Sequence, residues 1–329
     1  MILSVSHFFG SYDVVIEKGV LYNADKYLDL NRRVLIVTDD GVPESYAKAV
    51  EAFCKEPVTV RINQGEISKN IDSYLKIQEA LAEHGFTRSD CIVAVGGGVI
   101  GDISGFCAST YMRGIDFYNI PTTLLSQIDS SIGGKTAIDF KGYKNIIGAF
   151  YQPKAVLIDS TTLETLPKRH ISNGLVEAVK MAATSDKELF EVFESGDFDI
   201  DEIIYRSLLI KKSVVENDER ESGIRKVLNF GHTFAHAIES ENMGKLYHGE
   251  CVAIGMMYMC SDSVKRRLEK VLKSINVQPY IEFDSEKIYS LLLRDKKAKG
   301  NMIDIIYVDD IGSYEIKRVE FTKLKEILK

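Results

Sequence analysis

Short apolar, β-branched runs alternate with segments of helical period through the first half of the chain, and this alternation most limits the possible folds. Tyr12–Ile16, Val34–Val37, Val58–Ile62 and Cys91–Val95 read as strands, and Pro43–Cys54 and Asn70–His84 as helices. Cys91–Val95 is apolar at every position, as expected of a strand covered on both faces of a parallel sheet. Strands that alternate with helices build an α/β domain with a mainly parallel sheet. Beyond Tyr151 only Ala155–Ile158 reads as a strand. Helical patterns then dominate: Ser172–Ala183, Lys187–Ser195, Glu202–Asn217, Phe230–Asn242 and His248–Lys265, with a small hairpin from Met302–Tyr307 and Tyr314–Val319. The expected division is an α/β domain over 1–152 and a mostly α-helical domain over 153–329, with the boundary near Gln152-Pro153.

The fourth of these strands runs into Gly96-Gly97-Gly98-Val99-Ile100-Gly101-Asp102. Glycines between a strand and a helix let the backbone approach a phosphate, and the helix N-terminus supplies N–H donors. A tight turn with close helix–strand packing would use the same residues. Gly134-Lys135-Thr136 looks like the end of a P-loop, but Asp129 stands where that motif needs its first glycine, which excludes the P-loop reading. Arg113, Lys135 and Lys144-Asn145 then read as polar groups on flexible turns, suited to an anionic ligand or simply solvated.

Three of the six histidines, His232, His236 and His248, fall between Asn229 and Glu250. His232 and His236 are four apart and share a helix face. A helix from Phe230 to Met243 climbs roughly 20 Å, and the return from Gly244 to His248 covers at most about 14 Å. His232 and His248 can therefore share a site, and imidazoles gathered in this way suggest a metal. Glu177 and Lys180 are three apart and also share a helix face, as an ordinary surface ion pair would.

Composition narrows the classes. A net charge of −7 argues against a general nucleic-acid or anionic-membrane binder. The longest apolar run, Val252–Cys260, is far short of the ~20 residues needed to span a bilayer. Five widely spaced cysteines without a Cys-x-x-Cys, and an N-terminus without a basic region leading into an apolar run, point to a reduced cytoplasmic protein.

Taken together, the motifs resemble the 3-dehydroquinate synthase family of sugar-phosphate cyclases. The resemblance lies in Gly96–Asp102, Tyr111–Gly114, Pro121–Leu125, Asp129–Thr136, Lys144–Pro153, Gly174–Lys180, Asp218–Glu221, Leu228–Glu239 and Leu246–Glu250, and it runs from about Arg33 to Gly312. It implies a metal- and NAD-dependent lyase that converts 3-deoxy-D-arabino-heptulosonate 7-phosphate into 3-dehydroquinate and phosphate. The steps are transient oxidation, phosphate elimination, re-reduction and intramolecular aldol closure. By the same resemblance Glu177, His232 and His248 hold Zn2+, or Co2+, while His236 faces the substrate without ligating. Lys135, Lys180, Lys211, Arg225, Asn145, Asn229 and Arg113 bind substrate, with Arg113 drawn from either this or a second subunit of a homodimer, and Asp129 lies at the active centre. Asp39, Glu66, Lys69, Gly97, Gly98, Val99, Asp102, Thr122, Thr123, Lys135, Lys144, Thr162 and Thr165 line the NAD site.

This residue set suits the chemistry. Three protein ligands leave open positions on the metal for substrate hydroxyls. An anionic sugar phosphate needs several cations to converge within a protein of net charge −7. The departing phosphate can itself serve as the base. The chain departs from the family pattern at Gly41, where asparagine is common, and at Gln64-Gly65-Glu66, where Asp-Gly-Glu is common. The resemblance also implies one further active-site lysine, at Lys296 or Lys297. Related cyclases making an aminodehydroquinate, a valiolone or scyllo-inosose, metal-dependent alcohol dehydrogenases, and a non-enzymatic NAD-binding sensor or inactive relative, against which intact Glu177, His232 and His248 argue, are the competing readings. The Ser130–Lys135 run and His236 weigh against the valiolone and scyllo-inosose cyclases, and the basic cluster weighs against a simple alcohol substrate.

Overall fold

The computed structural model describes residues 1–221, 223–242, 244–293 and 301–328. The chain divides into two compact units, Met1–Pro167 and Lys168–Lys329. That division falls after the position read from the sequence, because the strand Ala155–Ile158 completes the sheet of the first unit.

The first unit is built on a seven-stranded sheet. Its strands are β1 (Ile2–His7), β2 (Gly10–Ile16), β3 (Arg33–Asp39), β4 (Glu56–Ile62), β5 (Cys91–Gly96), β6 (Asp116–Pro121) and β9 (Ala155–Ile158), in the spatial order β1-β2-β9-β6-β5-β3-β4. β1 pairs antiparallel with β2, and every other pairing is parallel. Helices α1 (Glu44–Glu51), α2 (Ile71–Glu83) and α3 (Gly98–Thr110) make crossovers. Both faces of the sheet are buried: Val34 and Ile36 of β3 enter one apolar cluster and Leu35 and Val37 enter another. This accounts for the unbroken apolar runs in the sequence.

Four strands lie outside the sequence reading, β6 (Asp116–Pro121) among them. β1 is an exposed edge strand with little apolar pattern. β7 (Lys135–Phe140) and β8 (Tyr143–Phe150) form a separate antiparallel hairpin. Lys135, Lys144 and Asn145 therefore lie on strands and not on flexible turns. The signal was weak because the hairpin is largely exposed and turns at Lys141-Gly142, both at positive φ (49° and 81°), without the usual Asn-Gly.

The second unit is mostly helical: α4 (Lys168–Ser185), α5 (Lys187–Ser195), α6 (Ile200–Asn217), α7 (His232–Glu241), α8 (His248–Met256), α9 (Asp262–Ser274), α10 (Ser285–Leu292) and α11 (Phe321–Ile327), with the hairpin β10 (Met302–Tyr307) and β11 (Glu315–Glu320). The single helix expected over His248–Lys265 is instead two. Cys260 leaves the helix to bridge Val308, and Ser261 caps α9 by accepting from the Val264 amide. The apolar run Val252–Cys260 has no polar face, so its period carries no stop signal, and Ser261 was the only local cue. No helix among the described residues is long and apolar enough to cross a membrane.

Candidate functional site

In the second unit α4, α7 and α8 approach each other where glycine allows it. A Cβ on Gly249 would lie 2.3 Å from the Asn173 carbonyl oxygen of α4, and one on Gly255 would lie 2.0 Å from the Gly231 carbonyl oxygen at the start of α7. The Gly249 amide also donates to Asn173 Oδ1 at 2.6 Å. Arg169 of α4 grips the other side of this junction. Its guanidinium lies over the Tyr247 ring, 4.2 Å from the centroid, and forms a two-pronged pair with Glu250 at 2.7 and 2.8 Å.

These crossings bring Glu177 of α4, His232 of α7 and His248 of α8 together, each offering a ligand atom within 4.8 Å of the others. His248 Nε2 lies 3.5 Å and His232 Nε2 3.9 Å from Glu177 Oε1. Donors around a tetrahedral zinc at 2.0–2.1 Å stand about 3.3 Å apart, so this set closes onto such an ion with small side-chain rotations. One carboxylate and two imidazoles suit zinc or cobalt, and three donors leave a position open. Among the described residues this is the one group of three or more potential ligands. His236 lies beside it, its ring 5.5 Å from that of His232, and is outside the ligand group.

Charge around the triad is tightly paired. Lys180 Nζ contacts Glu177 Oε2, and both side chains are almost wholly buried. Burial pulls the His248 pKa down, but the carboxylates of Glu177 and Glu239 outweigh it and raise the group to about 9. Lys211 and Arg225 are buried, on α6 and the 3-10 turn Ile224–Asn229. Arg225 Nη1 donates to the Glu219 carbonyl at 2.5 Å, and Asn229 Nδ2 donates to Glu221 Oε1 at 2.6 Å. Glu221 and Glu239 were not singled out from sequence. Glu239 carried a signal, since it is seven residues after His232 and three after His236 and shares their helix face.

In the first unit the cofactor candidates gather at the C-terminal ends of the strands. Chain order reverses between β3 and β5, so their C-terminal ends form a topological switch point, where α/β sheets bind ligands. Asp39 ends β3, Gly97, Gly98 and Val99 open α3 after β5, and Thr122 and Thr123 follow β6. A Cβ on Gly97 would come within 3.0 Å of Thr123 Cγ2, and one on Gly98 within 3.0 Å of Ser130 Oγ, so side chains there would fill the cradle at the helix N-terminus. Burial raises the Asp39 carboxyl pKa against the opposing effect of the Gly41 N–H.

Lys69 is buried and ties this region together. Its Nζ contacts Asp102 of α3 and donates to Asn145 Oδ1 of β8 at 2.6 Å, and its carbonyl accepts from the Asp139 amide at 2.8 Å. Burial lowers the Lys69 pKa, but Asp102 and Glu66 raise it more, which keeps the ammonium charged. Lys144 Nζ lies 3.8 Å from Glu66 Oε1, and Asp129 sits in the turn Ser126–Ser130. Thr162 and Thr165 belong to an internal network: Thr162 Oγ1 donates to the Asp159 carbonyl and accepts from Gln127, and Thr165 Oγ1 meets the Tyr46 hydroxyl. Arg113 lies beyond the other end of α3, about 20 Å along the helix from the glycine loop.

The two departures from the family pattern touch each other. A Cβ at Gly41 would lie 2.5 Å from the Gln64 side chain, so the longer Gln64 occupies the space left by glycine. Lys296 and Lys297 lie outside the described residues.

A parallel-sheet unit with a glycine cradle, and a helical unit with a candidate Glu-His-His ligand set, are the architecture the chain shares with the sugar-phosphate cyclases. The chain superposes on 2-deoxy-scyllo-inosose synthase, solved with carbaglucose-6-phosphate, NAD+ and Co2+, with a TM-score of 0.90, 25% identity, and 100% and 99% of the two chains covered. It superposes on 2-epi-5-epi-valiolone synthase from Streptomyces hygroscopicus, solved with NAD+ and Zn2+, with a TM-score of 0.88, 26% identity, and 100% and 98% covered. Family models described as 3-dehydroquinate synthase N-terminal and C-terminal match residues 59–173 and 174–298. The 3-dehydroquinate synthase of Streptococcus thermophilus is 40% identical, with 96% of each chain covered, and that of Clostridium acetobutylicum 41% identical, with 94% of each covered. The chain belongs to the 3-dehydroquinate synthase family.

Proposed function

We propose that the chain converts 3-deoxy-D-arabino-heptulosonate 7-phosphate into 3-dehydroquinate and phosphate, using NAD+ catalytically and a divalent metal. The observation that carries this reading is identity of 40% to a curated 3-dehydroquinate synthase over 96% of both chains. Glu177, His232 and His248 would hold Zn2+ or Co2+. Gly97, Gly98 and Val99, with Asp39, Glu66, Lys69, Asp102, Thr122, Thr123, Lys144, Thr162 and Thr165, would line the NAD site. When bound, the metal and NAD+ supply Lewis acidity at a substrate hydroxyl and a reversible hydride acceptor.

The protein's own groups then bind and orient. Lys135, Lys180, Lys211, Arg225 and Arg113 would neutralise the substrate carboxylate and phosphate, with Asn145 and Asn229 fixing their orientation. His236, next to His232 but outside the ligand set, would hold or move a substrate proton, and Asp129 would flank the reacting carbon. Arg113 lies too far along α3 to join its own glycine loop, which supports a homodimer in which it serves a second copy. Cysteines without a disulfide among the described residues suit a reducing cytoplasm.

The test is incubation with the heptulosonate phosphate, Zn2+ and substoichiometric NAD+. Phosphate release over many turnovers, no net NADH and a product of dehydroquinate mass are expected. Net NADH formation, or a different carbocycle, would refute the assignment.

A further inference from the structure

The two candidate ligand histidines both turn Nε2 toward Glu177, and each is held from behind at Nδ1. The His232 Nδ1 lies 3.2 Å from the Phe230 carbonyl oxygen. The His248 Nδ1 lies 3.6 Å from Glu239 Oε2, an ion-pair distance that a small rotation closes to a hydrogen bond. Glu239 is largely buried, on α7, the helix that also carries His232. That helix therefore supplies one ligand directly and the anchor of another.

We propose that Glu239 is a positioning residue for the metal centre: its carboxylate accepts the Nδ1–H of His248, fixes the tautomer that leaves Nε2 free, and makes the ring a stronger donor. A ligand imidazole must be neutral with its proton on the far nitrogen. An outer carboxylate both holds that proton and orients the ring, and loss of such a partner weakens metal binding by roughly 10–100-fold. The contrast with His232 supports a specific role. A backbone carbonyl cannot be tuned by a side chain, so the carboxylate at His248 is where the sequence sets affinity. The inference rests on the metal reading above.

The experiment measures the zinc dissociation constant of metal-free protein by competition with a chromophoric chelator, beside the melting temperature of the metal-free form. Glu239→Gln keeps shape and an acceptor but removes the charge, and should weaken zinc roughly tenfold. Glu239→Ala should weaken it toward a hundredfold, both with a metal-free form that still unfolds cooperatively and only slightly earlier, since Glu239 also pairs with His248 before the metal binds. If the Gln variant folds poorly, Glu239→Asp keeps the charge but not the reach and should also lose affinity. Wild-type affinity in Glu239→Gln overturns the proposal, and so does a loss that merely follows lost metal-free stability. Wild-type protein that binds no zinc overturns the metal reading itself, a failure visible in the wild-type titration alone.

Discussion

Each unit of the molecule holds a buried lysine against a carboxylate, Lys69 in the first and Lys180 in the second, and the two pairs are built differently. Lys69 and Asp102 come from segments 33 residues apart, and Lys69 also reaches Asn145, so one ammonium joins a loop, a helix and a hairpin. Lys180 and Glu177 are three residues apart on one helix, and Glu177 also lies within 3.9 Å of two imidazoles. The first pair is a tie between distant elements. The second holds a carboxylate inside a ring of cations and potential cations, where a metal ion can exchange with a proton. Burial alone does not distinguish a structural ion pair from one in a site. The other groups that reach the carboxylate do.

Removing each carboxylate breaks the comparison most directly. Glu177→Gln should abolish zinc binding, reduce phosphate release to background, and leave Lys180 buried without its charge partner, at a cost of roughly 3–5 kcal/mol. Asp102→Asn should retain zinc. Because Asn145 Oδ1 still accepts from Lys69, its cost should lie at the low end of the same range, with a raised KM for NAD+. Metal content and urea denaturation of both metal-free variants check this. Zinc loss in Asp102→Asn would erase the distinction.

His236 sharpens the boundary of the metal ring. His236→Ala should keep zinc near wild-type occupancy and lose about 10²–10⁴-fold in turnover, the usual loss when an acid–base group is removed. His232→Ala should lose both zinc and activity. If His236→Ala is as zinc-depleted as His232→Ala, the two histidines of α7 form the clamp and the assignment of His248 fails.

The two halves differed in how much of them the sequence reveals. β3 and β5 were readable because both faces of each are covered, which forces continuous apolar runs. The hairpin carrying Lys135, Lys144 and Asn145 was not, since exposed strands need no apolar period. The histidine spacing pointed to a metal, but i,i+4 geometry alone would equally have chosen His236. The selection of His248 depends on glycine contacts between helices far apart in sequence, Gly249 on Asn173 and Gly255 on Gly231. Local periodicity contains no record of such crossings. The Gly41–Gln64 contact was hidden for the same reason: two separate departures from a family pattern proved to be one compensated space.

The pH dependence of zinc binding gives the smallest and most diagnostic difference between the halves. Burial lowers the His248 pKa, but Glu177 and Glu239 more than offset it and raise it from 6.5 to about 9 in the metal-free protein. Below that value zinc must displace a proton, so its affinity should rise by up to about tenfold per pH unit toward pH 9 and then level off. Metal-free stability should move the other way. A folded pKa above the unfolded one contributes stability that is complete below about 6.5 and is lost as pH rises through about 9. Lys69 is raised from an already high 10.5, so the ammonium in the first unit keeps its charge across the same window. Zinc titration calorimetry in two buffers of different ionisation enthalpy should therefore show close to one proton released at pH 7.5 from this residue. Affinity that is flat between pH 6.5 and 8.5, with no proton released, would mean that His248 is already neutral before the metal arrives and that the two carboxylates do not act on it.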